Sequence, residues 1–270
     1  MDPSNQFNRK SVYVQDSKIV YYTKGKSSKA VLFCHGDCQN HTAGLPIIDT
    51  FPEDYMCISI DFPGHGLSEE ISGRTLDMEA DLVHKILDAE GVDNAVLLGH
   101  SKGCMPLLGF ASDHPEYVDS MVLLNPFFME PARVMWYLPA RYMIRQYLKG
   151  AQGKYSGKSG DFHVYGTESS EEAIKYVGLR DTPLETILTN FDLCTGYDIR
   201  SKVSAFNFPV LVLHSNQDFL SRRMLRHARK VTGQMPNSQF RQLDTTHNLH
   251  ILSKNIVVDE IKKNSDFLGI

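Results

Sequence analysis

The feature that most restricts the fold is a series of short, nearly unbroken apolar runs spaced along the chain. They are AVLFCHG (30–36), YMCISID (55–61), AVLLGHS (95–101), SMVLLNP (120–126), PVLVLHS (209–215) and the more polar SQFRQLD (238–244). Runs this short, most of them continuous in Val, Leu and Ile, read as strands covered on both faces, which is the condition of a parallel sheet. The segments between them have another period. TLDMEADLVHKILDAEG and CMPLLGFASDHPEYV carry apolar residues at helical spacing, with Gly91 and Pro115 as punctuation. Strand and helix in alternation predict an α/β fold, a mostly parallel central sheet flanked by helices on both sides. Ahead of the first run, VYVQ and KIVYYT predict an antiparallel hairpin turning around Asp16 and Ser17.

The rhythm breaks once. From 127 to 196 there is no strand pattern, only three helix-like pieces: PARVMWYLPARYMIRQYLK, SSEEAIKYV and PLETILTNFDL. The first two are joined by KGAQGKYSGKSGD, too rich in Gly, Ser and Lys to pack well. About 70 residues is long for a plain connection. The expectation is therefore a core in two parts, 1–126 and 197–270, with a helical lid, 127–196, inserted after SMVLLNP. Met135, Trp136, Tyr137 and Met143 lie close together in the first piece and are expected to line an apolar substrate pocket. Arg133, Arg141 and Arg145 recur on the same helical spacing. They read either as a solvated face or as a basic rim suited to an acidic acyl carrier protein or a coenzyme phosphate.

Charge narrows the partners. A net charge of -4 and a pI near 6.2 leave no basic footprint for nucleic acid, so a small molecule is the expected ligand. The basic run SRRMLRHARK turns Met224, Leu225 and Ala228 to one side and reads as a solvated helix face. No apolar run approaches the roughly 18 residues of a membrane span, and no leader pattern opens the chain, so a cytoplasmic protein is expected. Five scattered cysteines cannot all pair internally and are expected to be reduced thiols. Cys34 and Cys38 have no second ligand pair beside them, which predicts no metal site.

One stretch carries chemistry. In LLGHSKGCMP (97–106) a serine stands between two glycines where an apolar run stops and a helical pattern starts. Such a strand-to-helix turn strains the backbone at the serine and exposes its hydroxyl, while Gly99 and Gly103 remove side chains that would collide. Ser101 is thus a candidate nucleophile. It needs a base, and the base needs a carboxylate to hold its tautomer. Of the downstream histidines, His214 lies in a strand pattern and His227 in a basic helix-like run. His247 follows SQFRQLD in a short loop and is preferred over His250, which falls in the next helical pattern. Asp218 stands past the end of PVLVLHS, where an acid would belong; Asn125, past SMVLLNP, cannot carry the charge. Asp244 is a weaker choice, being so near His247. For the oxyanion, the Lys102 N–H and a donor after AVLFCHG are expected, the Asp37 N–H first and Cys38 second. His35 is read as shaping that loop. A lysine is poorly placed at a helix start, which motivates the expectation that Lys102 pairs with the Asp37 carboxylate.

With these residues in place the chain resembles the α/β-hydrolase superfamily. HGD (35–37), DFPGHGLS (61–68), GHSKG (99–103), HSNQD (214–218) and TTHN (245–248) follow the family's order across nearly the whole chain outside 127–196. The resemblance implies a Ser101–His247–Asp218 triad, no cofactor, and hydrolysis of an ester, thioester or lactone. A thioesterase, a carbon–carbon bond hydrolase and a non-catalytic receptor remain alternatives on the same fold. Serine at 101 argues against the members that use an aspartate there. Lys102, and the HSN that replaces a small glycine turn before the acid, depart from the usual pattern.

Overall fold

A computed structural model describes residues 6–126, 128, 142–143, 145–146, 182–195, 197–217 and 219–270, without the side chains at 219–221 and 223. The expected hairpin is formed by β1 (Asn8–Val14) and β2 (Ser17–Lys24), paired antiparallel. Its turn lies at Gln15 and Asp16, one residue earlier than predicted, and both take positive φ, as the tightest hairpin turns require. Then come β3 (Lys29–Cys34), α1 (Leu45–Ile48), β4 (Met56–Ile60), α2 (Leu76–Glu90), β5 (Asn94–His100), α3 (Cys104–Asp113) and β6 (Val118–Leu124). After the interruption follow α4 (Leu184–Cys194), β7 (Val210–Ser215), α5 (Phe219–Thr232), β8 (Ser238–Leu243), α6 (Leu249–Leu252), α7 (Lys254–Lys263) and α8 (Ser265–Leu268).

The eight strands form one sheet in the order β1-β2-β4-β3-β5-β6-β7-β8, parallel from β4 to β8. All six apolar runs are strands. Inside the sheet, alternate residues of each strand feed one of two buried layers, as a two-faced sheet demands. On β3, Ala30, Leu32 and Cys34 pack with Leu82, Val83 and Ile86 of α2 and Leu107 and Leu108 of α3. Val31 and Phe33 pack on the other face with Leu45, Ile47 and Ile48 of α1 and Val257 and Ile261 of α7. The helices end where the sequence stops them: Thr75 caps α2 through Met78 N–H, and Gly91 closes it in the left-handed conformation. The single helical pattern after His247 is broken at Ser253 into α6 and α7.

Chain order reverses direction at β3, whose neighbours are β4 and β5. The carboxyl ends of adjacent parallel strands open a crevice at such a point. The loops after β3 and β5 meet there. Of the 127–196 segment, PLETILTNFDL forms α4 as expected, with Ile187 and Leu188 buried. Met143, expected to line an apolar pocket, is 69% exposed, and its neighbour Tyr142 is exposed too. Arg145 is paired with Glu185. Met135, Trp136, Tyr137, Arg133 and Arg141 lie outside the described residues, as does SSEEAIKYV. On α5, Ala228 is buried and Met224 and Leu225 half-buried, the expected inward side of the basic helix. Among the described residues, no helix is long and apolar enough to cross a membrane.

A Cβ added at Gly103 would overlap the carbonyl oxygens of Cys34 and His35. We expect Gly103→Ala to cost about 1–3 kcal/mol through overpacking, read as a lower urea midpoint at unchanged slope.

Candidate active site

The turn at the end of β5 has the strain that its sequence implies. Ser101 takes φ +51°, and the chain passes directly from strand into a helical turn. Gly99 and Gly103 are needed: a Cβ at Gly99 would lie 3.0 Å from Cys104 Cα, and Gly103 presses the turn against the end of β3. The Ser101 hydroxyl is thereby held outward and lies 3.0 Å from His247 Nε2, to which it can donate. His247 sits between β8 and α6 and is 7% exposed. Two residues 146 positions apart are brought into hydrogen-bond contact. Asp218 lies outside the described residues; the preceding Gln217 donates its N–H to Thr245 O (3.0 Å), tying the loop after β7 to the loop of His247. Of the alternatives, Asp244 is exposed and His250 lies within α6, where it is buried.

Several residues that sequence reasoning passed over hold the histidine loop. Asn125, at φ +46° past the end of β6, donates from Nδ2 to His247 O (2.7 Å) and Ser215 Oγ (2.9 Å), and accepts Ser215 N–H at Oδ1 (2.7 Å). Ser215 Oγ in turn donates to Thr246 O (2.6 Å). This accounts for serine in HSN: its hydroxyl joins two strand ends. Gln39 links three loops. Its Oε1 accepts Gly36 N–H (3.0 Å) and faces His100 Nδ1 (3.1 Å), and its Nε2 donates to Asn248 Oδ1 (3.1 Å). The sequence sign was slight: Asn125 is a polar residue just past a strand end, and Gln39 lies in the loop five residues beyond β3.

After β3, His35 shapes the loop as expected. Its Nε2 accepts Phe62 N–H (3.0 Å), and its Nδ1 donates to Gly36 O (2.7 Å). The Cys38 N–H is occupied, since it donates to Asp37 Oδ1 (3.0 Å). Among the described residues no acceptor takes the Asp37 N–H, so of these two amides it is the one left unclaimed. Cys38 is not a rival nucleophile: burial and the Asp37 charge push its thiol pKa well up, so it stays protonated. All five cysteines are free and buried. The aspartate of DFPGHGLS is structural, with Asp61 accepting His41 N–H (2.7 Å) and Leu67 N–H (3.1 Å).

The expected Lys102–Asp37 pair is not formed. Lys102 Nζ donates to both carboxylate oxygens of Glu79, at 2.6 Å for Oε1, and lies 4.7 Å over the Phe62 ring. Arg74 Nη1 donates to the same Oε1 (2.8 Å). All three charged groups are buried. Glu79 stands in the first turn of α2, where the helix dipole favours a carboxylate. The cation that suits its own helix start poorly is therefore neutralised by a neighbouring helix.

Histidines crowd the opposite side. His100 and His250 lie with ring centroids 3.9 Å apart. Both ring nitrogens of His250 are buried without a hydrogen-bond partner among the described residues, and burial with the nearby His247 lowers its pKa to about 3. Burial first, then His250 and His247, likewise holds His100 well below the usual range.

Comparison with known proteins agrees with this architecture. The family model described as alpha/beta hydrolase fold matches residues 29–254. A 114-residue stretch is 32% identical to the dihydrolipoyllysine-residue acetyltransferase component of the acetoin cleaving system of Cupriavidus necator, covering 42% of this chain and 30% of that protein. The 2-hydroxy-6-oxononadienedioate/2-hydroxy-6-oxononatrienedioate hydrolase of Burkholderia vietnamiensis is 30% identical over 114 residues, 40% of each chain. The chain thus matches well under half the length of either relative. Among solved structures, a hydrolase from Pseudomonas aeruginosa superposes with a TM-score of 0.79 at 18% identity, over 97% of this chain and 99% of that one. The enol-lactonase of Burkholderia xenovorans gives 0.76 at 16% identity, over 97% and 100%. At such identities these structures establish the fold alone.

Two outcomes follow. Glu79→Ala strands two buried cations and is expected to cost about 3–5 kcal/mol in urea unfolding. His250 binds its proton more readily unfolded (about 6.5) than folded (about 3), so its contribution is complete above about pH 6.5 and is lost as pH falls. Each such group removes up to about 1.4 kcal/mol per pH unit in that window. Urea unfolding of His250→Phe should therefore show a shallower loss of stability between about pH 6.5 and 4 than the parent chain.

Proposed function

The chain belongs to the alpha/beta hydrolase fold family, and on that premise we propose that it is a serine hydrolase cleaving a carboxylic ester, thioester or lactone. The observation that carries this reading is the 3.0 Å contact between Ser101 Oγ, on a positive-φ turn, and His247 Nε2. A serine hydroxyl becomes nucleophilic when a base in hydrogen-bond contact takes its proton. A binding protein has no need of that contact.

The steps balance as follows. Ser101 Oγ bonds to the acyl carbon as its proton passes to His247 Nε2, and the carbonyl electron pair moves onto oxygen. The Asp37 and Lys102 N–H groups hold that oxygen; each such donor is worth on the order of 3 kcal/mol of transition-state stabilisation. Collapse expels the alcohol, thiol or ring oxygen, which takes the proton from His247. Water then gives a proton to His247 and adds to the acyl-enzyme, and Ser101 Oγ leaves with the returned proton as the acid departs. Asp218 is assigned the task of orienting His247, from its place after β7 and ahead of His247 in the chain. The pairing of Arg145 with Glu185 weakens the basic-rim reading, and with it the case for a charged carrier as substrate.

Ser101→Ala is expected to lose hydrolysis by at least about a thousandfold and to take no fluorophosphonate label, as read by intact-protein mass. Undiminished turnover would refute the assignment. A panel of aryl esters, acyl-CoA thioesters, lactones and a 2-hydroxy-6-oxo-dienoate identifies the class by the highest kcat/KM; turnover of the last alone would shift the reading to carbon–carbon cleavage.

A further inference from the structure

Helix α4 reaches the oxyanion site along two polar routes. Thr186 and Asn190, one turn apart, are both buried, and the helix packs through Cys194 onto Met105 of α3, the helix that follows the nucleophile. From Asn190, Nδ2 donates to Asp37 Oδ1 (2.6 Å) and faces His65 Nε2 (3.3 Å). His65 is oriented for this by its other nitrogen, which meets Pro63 O (3.0 Å). Asp37 Oδ1 is also the acceptor of Cys38 N–H, the contact that accompanies the positive φ of Cys38 and leaves the Asp37 N–H unclaimed. The second route starts at Thr186, whose Oγ1 donates to Glu70 Oε2 (2.9 Å). Glu70 pairs with Arg74, Arg74 with Glu79, and Glu79 with Lys102, whose main chain supplies the other donor. The crossing is tight enough that a Cβ at Gly64 would overlap both Glu70 Oε2 and Thr186 Oγ1.

Asn190 makes this contact at a cost. Its Oδ1 is buried with no hydrogen-bond partner among the described residues. Turning the amide over would set that oxygen against the Asp37 carboxylate, so the orientation is dictated by Asp37. An apolar side chain of the same shape would pack here without an unpaired oxygen. It would, however, leave a carboxylate free to move beside the place where negative charge develops.

We propose that Thr186 and Asn190 are positioning residues for the oxyanion site: Asn190 holds the Asp37 carboxylate, and so the loop that presents the Asp37 N–H, while Thr186 anchors the ion chain behind Lys102. The proposal rests on the serine-hydrolase reading above and adds to it a dependence of catalysis on α4, which touches neither Ser101 nor His247 among the contacts described.

The test uses Asn190→Leu and the exchange pair Asp37→Asn with Asn190→Asp, in the full chain. Each is measured for kcat and KM on an aryl ester, and for affinity toward an aryl trifluoromethyl ketone, whose adduct on serine is a tetrahedral oxyanion. Asn190→Leu, which removes an unpaired oxygen but also the amide donor to Asp37, is expected to lower the thermal midpoint modestly while staying folded, lower kcat by at least about tenfold and leave KM within about twofold. Ketone affinity should fall by the same factor as kcat/KM. The exchange pair, which restores an amide-to-carboxylate bond, should recover most of kcat. Parent-like kcat and ketone affinity in Asn190→Leu would overturn the proposal, as would a rise in KM alone, which would make α4 a substrate-contact helix. Should Asn190→Leu fail to fold, the exchange pair decides: activity no better than Asp37→Asn alone overturns it. A parent chain that hydrolyses none of the panel and takes no fluorophosphonate label sinks the underlying reading, and this proposal with it.

Discussion

The close approach of the turn at Ser101 to the end of β3 is the constraint from which the site follows. Gly103 lies against the Cys34 and His35 carbonyls, so the turn can leave β5 only in one direction, and Ser101 absorbs the reversal at φ +51°. A strained residue of this kind persists only where the surroundings over-determine it. Here they do so on both sides, with β3 and β5 in parallel register from Lys29 to Cys34 and α3 packed beneath. The sheet therefore does more than support the serine. It aims the hydroxyl, and His247 is brought to meet it.

Two kinds of polar chemistry hold the partners in place. Around His247 the work is done by neutral groups, with Asn125 and Ser215 joining the ends of β6, β7 and β8. Behind Lys102 it is done by charges out of water. Buried ions need partners on every side to offset their lost hydration, and Arg74, Glu79 and Lys102 supply them to one another. The division has a physical sense. A neutral clamp adds no charge beside His247, and the charges are gathered where they neutralise one another.

Much of this was legible from residue order. Apolar runs located the strands to within about two residues, because strands covered on both faces have little freedom in composition. Ser101 and His247, singled out by their place at strand ends, are in hydrogen-bond contact. Partners across the fold were not legible in that way. Glu79 reads in sequence as an ordinary acid in a first helical turn, and nothing in its neighbours says that a lysine 23 residues on will reach it. Asn125 was noticed only for the charge it lacks, although its amide is what the site uses. Met143 shows the limit of spacing: an apolar residue in a helical pattern does not announce which way it faces, and this one faces water. Asp218 fits its place in the order, and its position is among those not described.

Gln39 carries one last implication. A single side-chain amide touches the loop after β3, the residue before Ser101 and the residue after His247. Its two ends are chemically distinct, so each neighbour fixes what the others must offer: a donor at Gly36, a ring nitrogen at His100, an acceptor at Asn248. Those three segments form a mutually specified set. Exchanging one of them with a related protein would succeed only if its counterparts travelled with it, which makes the site, for grafting or recombination, a single transplantable unit spread over three distant pieces of chain.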